Sequence, residues 1–521
     1  MNTTRRAVLG AGVAGVALLA TGCQQPAGDQ ATQLTAILDR VSIEILRESP
    51  ERCTALGVSE EQAGGRFVDK LSDSSKDGQR RYRVLLETAL RDLSALDRTR
   101  LSPQGAVTLD VVRTSFENTV ATAAFEVGGG AGAPYIVSQL TGAYRDVPDF
   151  MDTQHPLATR DDAEAYIARL GEYVRQLDQE TEIIAADATA GVIPPDFAID
   201  KAILQLNQFA RTAPAQTVLA QSLARRLPHV AEVPEADRAG YLTRAQTAVR
   251  DQILPAYQRQ IEALRGLRAR APHDAGVWRL NQGAEMYAAS LRQRTTTSMT
   301  PDEIHDMGLE LVAQYTGEMD AILQRQNMTQ GSVADRIQGL SRRPEQLYAN
   351  NDTGRAQLLA DLNVQIQAVT ALMPNAFTTL AQAPLEIRRV PVTTETGAPG
   401  GYYERASLDG SRPGAYYINL RNPSEEWPKF TLPTLTYHEG IPGHHWQISI
   451  QQEAGALPFI RSALLGFNAY AEGWGLYAEQ LADEMGMYAN DPFGRIGYLQ
   501  SAAFRASRLV VDTGIHSKCW T

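Results

Sequence analysis

The chain has 521 residues and a formal net charge of −11, from 49 Lys and Arg against 60 Asp and Glu. An acidic protein without a basic block is a poor nucleic-acid binder. Its three cysteines, Cys23, Cys53 and Cys519, are too few for a disulfide framework, and no stretch after the N-terminus is apolar enough for long enough to cross a bilayer.

The N-terminus reads as an address. Thr4-Arg5-Arg6-Ala7-Val8-Leu9 resembles a twin-arginine export motif, and the apolar run from Ala7 to Ala20 suits a signal core. Leu19-Ala20-Thr21-Gly22-Cys23 resembles a lipoprotein cleavage site, with Cys23 as the lipidated residue; simple cleavage nearby is the alternative. This predicts an export signal over 1–22, a polar tether over 23–34 and a helical domain over 35–521. Loss of Arg5 and Arg6 with the signal takes the charge to −13. The expected location is the periplasm or cell envelope, with membrane contact only through a lipid at Cys23.

Most of the remaining chain predicts helix. Thr159 caps a stripe of Tyr166, Leu170, Tyr173 and Leu177. Thr300-Pro301-Asp302-Glu303 is a helix start, with proline at N1 and glutamate at N3, followed by Ile304, Met307, Leu311 and Tyr315. His305 beside that stripe reads as a surface histidine. Residues 235–295 read as long amphipathic helices, and Arg265 to Arg270 as a solvated face. The glycine runs at 128–132 and 191 precede no lysine in a phosphate-loop pattern, so nucleotide binding has no support.

Residues 385–420 change character. Leu385 to Val390 and Gly414 to Leu420 read as strands with Gly- and Pro-rich turns between them. The expected fold class is therefore mainly α, a large multi-helix body with a small β-sheet next to the histidine-rich helix that follows it. Ala415 to Leu420, carrying Tyr416 and Tyr417, serves either as an edge strand that binds an extended peptide or as a purely structural strand.

Three of the eight histidines fall in Thr436-Tyr437-His438-Glu439-Gly440-Ile441-Pro442-Gly443-His444-His445-Trp446-Gln447. Imidazoles beside a carboxylate are the components of a zinc hydrolase site, where the metal acidifies a water and the glutamate takes its proton. The spacing is unusual. Position i+4 from His438 is Pro442, which cannot bind metal. On a regular helix i+6 lies about 240° away, and i+7 lies about 10.5 Å along the axis. Pro442 and Gly443 must therefore break the helix if His444 or His445 is to join His438. A third ligand is offered by Glu472, in Asn468-Ala469-Tyr470-Ala471-Glu472-Gly473-Trp474-Gly475-Leu476-Tyr477-Ala478-Glu479. A carboxylate among small and aromatic residues is costly to bury unless paired or metal-bound. Gly473 and Gly475 read as points of close helix approach, and Glu479 as a solvated face.

These two windows, with Arg508-Leu509-Val510-Val511-Asp512-Thr513-Gly514-Ile515-His516, resemble the bacterial family called domain of unknown function 885, from about residue 35 to the end. The resemblance implies a distant relative of zinc peptidases whose third ligand is a glutamate. Comparison with dipeptidyl-peptidase III, whose motif also has extra residues before a Gly-His pair, makes His444 the second ligand and leaves His445 behind the metal or facing substrate. It also implies a C-terminally truncated chain, with Cys519 where the family tends to have glycine. The expectation is a zinc peptidase of the envelope acting on peptides. His438, His444 and Glu472 hold Zn²⁺ and Glu439 is the general base. His516, Tyr498 and Arg508 are candidate oxyanion donors, and Tyr416, Tyr417 and His445 face the substrate. The alternatives are an amidase or esterase on the same site, or a lipoprotein that binds metal or peptide without turnover.

Overall fold

The structure, a computed structural model, describes residues 27–392, 395 and 398–521. The signal over 1–22, Cys23 and the first residues of the tether lie outside the described residues. From Ala27 onward the expected tether is helical: Ala27–Arg47 is one helix that buries Leu34 and Leu38. Among the described residues no helix is long and apolar enough to cross a membrane.

The fold is mainly α, and the predicted starts are present. Thr159 Oγ1 accepts from Asp162 N and Asp162 answers on Thr159 N, opening Arg160–Thr189; Thr300 and Glu303 make the same reciprocal pair at Pro301–Arg325. The 235–295 region is divided into helices Glu235–Ala248, Leu254–Arg268 and Gly283–Thr295, with a π-helical turn at Val249–Ile253. The largest core joins Tyr166, Leu170, Tyr173 and Leu177 to Tyr257, Ile261 and Leu264. A second core packs the N-terminal helices on Ile460, Ala463 and Leu464, the segment that leads into helix Asn468–Glu484. His305 is buried, not at the surface, with Nδ1 2.8 Å from Thr513 Oγ1.

The sheet has three strands, β1 (Leu385–Arg389), β2 (Gly401–Glu404) and β3 (Gly414–Ile418), in the order β1-β3-β2. β1 runs parallel to β3, with Leu385 opposite Gly414, and β2 runs antiparallel, with Gly401 opposite Ile418. The expected edge strand is therefore the central one. Both hydrogen-bonding edges of β3 are occupied and all five of its residues are buried, so it cannot add a peptide strand. Tyr416 packs with Leu358, Leu362 and Leu432, on the face towards helix Leu432–Glu439. Tyr417 turns to the opposite face, stacked on Tyr402 with centroids 5.0 Å apart.

A buried carboxyl lies against the main core. Glu180 is buried; its Oε1 accepts from Ala143 N at 2.8 Å and its Oε2 from Gln260 Nε2 at 3.3 Å. Burial pushes its carboxyl up to about 8 from 4.5. Between those values the folded chain holds a proton that the unfolded chain has released. Stability is therefore fullest below the unfolded value and falls as pH rises towards the folded one, by at most about 1.4 kcal/mol per pH unit. Glu180→Gln is expected to flatten that decline. Urea midpoints across this pH range check it, and parallel pH slopes in variant and wild type would contradict it.

Candidate metal centre

Helix Leu432–Glu439 stops at Gly440 and a new helix, His444–Glu453, starts four residues later. Pro442 brings no N–H to continue the helical ladder. Gly443 is required by space: a Cβ there would lie 1.8 Å from the His438 carbonyl oxygen. The reversal brings the His438 and His444 rings edge to face, with centroids 4.6 Å apart at 80°. This is the break that the sequence demands if two of its histidines are to share one ion.

Helix Asn468–Glu484 supplies the carboxylate. Glu472 Oε2 lies 3.5 Å from His438 Nε2, and Oε1 lies 3.8 Å from His444 Nε2. One donor atom from each of the three residues falls within 4.8 Å of the others. Zinc–ligand bonds of about 2.0–2.1 Å at tetrahedral angles place donors about 3.3 Å apart, so the set would hold this ion after its most distant donors close by up to about 1.5 Å. Gly475, one turn after Glu472, lets the helix approach: a Cβ would lie 2.5 Å from His438 Cε1. Gly473 faces open space instead.

Glu479, expected on a solvated face, is completely buried. Its Oε1 accepts from His438 Nδ1–H at 2.9 Å, which commits that nitrogen and leaves Nε2 as the one that can turn to a metal. Arg505, on helix Pro492–His516, lies 3.1 Å from the same Oε1. Its Nη2 is also 2.9 Å from His438 Nδ1 and 3.2 Å from Nε2. A nitrogen so near both cannot lie in the ring plane without overlapping Cε1, so the guanidinium rests on the ring face and leaves the in-plane lone pair of Nε2 clear. Two buried atoms here have no partner, Glu479 Oε2 and His444 Nδ1. Glu472 and Glu479 face one guanidinium and the protonated His438 ring, and a divalent cation at Nε2 would take the place of that ring proton.

The protonation pattern suits the arrangement. Burial alone would lower the His438 pKa, but Glu472 and Glu479 outweigh it and raise it to about 9, so without a metal both ring nitrogens carry protons and a cation would take the place of the one on Nε2; burial and His438 together lower His444 to about 4. The hydrogen bond with His438 brings Glu472 down to about 2. Glu439, adjacent to His438 and 7% exposed, is pushed up to about 7 by burial, where a general base is poised to accept and return a proton.

The other candidates are elsewhere. His445 does not face substrate: it is buried, with Nε2–H donating to Ala383 O at 3.1 Å and Nδ1 accepting from Tyr403 Oη at 3.0 Å. Both nitrogens are used in anchoring its helix to the sheet. Tyr416 is fully buried in the core behind helix Leu432–Glu439, and Tyr417 lies across the sheet, so neither lines the site. Tyr498 stacks on Tyr488 at 6.2 Å in the core. Arg508 is exposed, and it is Arg505, one turn earlier, that reaches the centre. His516 Nδ1 accepts from Val277 N at 3.1 Å and its ring lies on Tyr287, so it is a scaffold residue and no oxyanion donor. Gly514 is not a helix end either; it makes room for Trp520, whose ring would lie 2.4 Å from a Cβ.

Beside the centre, Trp474 Nε1 donates to Pro442 O at 2.8 Å. With Phe377, Trp446, Ile450 and Gln447 it walls a cleft of about 920 Å³. Gln447 follows His444 by three residues on one helix, so the cleft wall adjoins the donor set.

Fold and site together define a mainly α protein with two histidines brought together across a broken helix and a glutamate beside them from helix Asn468–Glu484. The chain belongs to the family of bacterial proteins of unknown function DUF885, whose profile matches residues 50–521. A crystal structure of an inferred lipoprotein from Colwellia psychrerythraea is similar to it, with 33% identity and a TM-score of 0.90 over 94% of this chain and 84% of that one. An inferred lipoprotein of unknown function from Shewanella oneidensis shares the fold at 15% identity, with a TM-score of 0.57 over 94% and 84% of the two chains. No curated protein matches the chain.

Proposed function

We propose that the chain is a zinc-dependent peptidase of the bacterial cell envelope. The observation that carries this reading is the juxtaposition of His438, His444 and Glu472 with the buried carboxyl of Glu439. Zinc, when bound, supplies a Lewis acid that acidifies a water and polarises a carbonyl. Glu439 takes the proton of the attacking water and returns it to the leaving amine, as its near-neutral pKa allows. Glu479 holds His438 in the tautomer that offers Nε2. The aromatic cleft beside His444 suits apolar side chains of an extended peptide. Peptides are the proposed partners, with no role for nucleic acid.

Export and a lipid anchor at Cys23 are part of the same proposal. The twin-arginine-like start and the lipoprotein description of the two similar structures support them.

The test is cleavage of a mixed peptide library by zinc-saturated and chelator-treated protein. New peptide ends are expected with zinc and none after chelation. An intact library with zinc retained would favour a binding lipoprotein, although such a protein has no use for Glu439. Cleavage of esters or simple amides alone would favour the amidase or esterase reading.

A further inference from the structure

We propose that Arg505 is the donor that stabilises the substrate carbonyl oxygen as it takes up negative charge. This role rests on the hydrolase reading above. Acyl transfer needs such a donor, preorganised at the reacting centre. The three residues expected to provide it, His516, Tyr498 and Arg508, are placed elsewhere. Arg505 lies against His438 and Glu479 instead.

Its geometry is not that of a bidentate ion pair. Arg–carboxylate pairs are frequently fork on fork, with two parallel bonds. Here one guanidinium nitrogen meets one carboxylate oxygen, while Glu479 Oε2 is buried without a partner. Nη1 donates to Ser501 Oγ at 3.2 Å. Much of the five-donor guanidinium is therefore left unspent. The side chain is 27% exposed, and the neighbouring Glu472 is 55% exposed, so donors and ligand face an accessible site. Arg505 also lies within electrostatic reach of His438, Glu439, His444 and Glu472. A guanidinium offers N–H donors and no acceptor, so Arg505 gives hydrogen bonds and Glu439 remains the sole proton carrier in the step.

The competing role is positioning only, with Arg505 steadying Glu479 and, through it, His438. Two equilibrium measurements on the full chain separate the roles. One is zinc affinity, by competition with a chelating indicator. The other is the affinity of the zinc-loaded protein for a phosphinic dipeptide, whose anionic tetrahedral phosphorus mimics the charged oxygen. Arg505→Met is expected to weaken the phosphinate by about 10²–10³-fold, with zinc affinity close to wild type. Arg505→Lys should recover part of the loss, since an ammonium keeps the charge and lacks the fork. If the Met variant does not fold, the Lys variant carries the test through its own phosphinate deficit. Parallel loss of zinc and phosphinate would assign Arg505 to positioning and overturn the proposal. Unchanged phosphinate binding would overturn it too, while leaving the zinc-peptidase reading intact. A wild-type chain that takes up no zinc would remove both.

Discussion

Glu439→Gln is expected to lower peptide turnover by about 10²–10⁴-fold at unchanged zinc content. The amide occupies nearly the same volume, so the buried position is still filled, and His438 keeps its bond to Glu479. What is lost is the group that accepts a proton. The carboxyl suits that task because burial raises it to about 7. The same elevation means that part of the metal-free population is protonated at neutral pH. Side-by-side measurement of zinc content and peptide cleavage in wild type and variant checks the prediction. Full turnover in the variant would remove Glu439 from the chemistry; loss of zinc would make its role structural.

Gly475→Ala should abolish high-affinity metal binding, although by local propensity it ought to help. Alanine in a helix interior is favoured over glycine by about 1 kcal/mol. Here the added Cβ would stand 2.5 Å from His438 Cε1, 2.7 Å from Nδ1 and 2.9 Å from Nε2. The ring has little room to retreat: Glu479 holds one edge and Arg505 rests on it. Either the two helices part or His438 leaves the donor set. Orientation of a ligand by its outer partners is typically worth 10–100-fold in metal affinity, and displacement of the ligand itself should cost more. A zinc titration of the variant decides, with Gly473→Ala as the control, since a Cβ at that glycine meets open space. Equal zinc affinity in both variants would contradict the close approach at 475.

Much of the centre was legible because it is local. Pro442 and Gly443 announce the break, and with His438, Glu439 and Glu472 they lie in two short windows. The helix starts at Thr159 and Thr300 are equally local, since a cap is decided within four residues. What failed depends on distant partners. Glu479 reads as solvated until His438 is placed against it, although Glu472, Gly475 and Glu479 share one helical face and that spacing was a usable signal. Arg505 and Arg508 are one turn apart, and which of them turns inward is set by the packing of Pro492–His516 along Pro301–Arg325. β2 is four residues long, too short to stand out, and without it β3 reads as an edge. His516 was drawn towards the site by its motif, but the helix continues through Gly514 and carries the ring to Val277.

Every proposed role depends on a metal held by His438, His444 and Glu472, and elemental analysis of the purified chain after zinc saturation and desalting tests that most directly. The expected result is about one zinc per chain in wild type and in His445→Ala, whose ring is committed to Tyr403 and Ala383, with loss in His438→Ala and His444→Ala. A wild-type chain that retains no metal would contradict the account, as would zinc kept by His444→Ala and lost by His445→Ala.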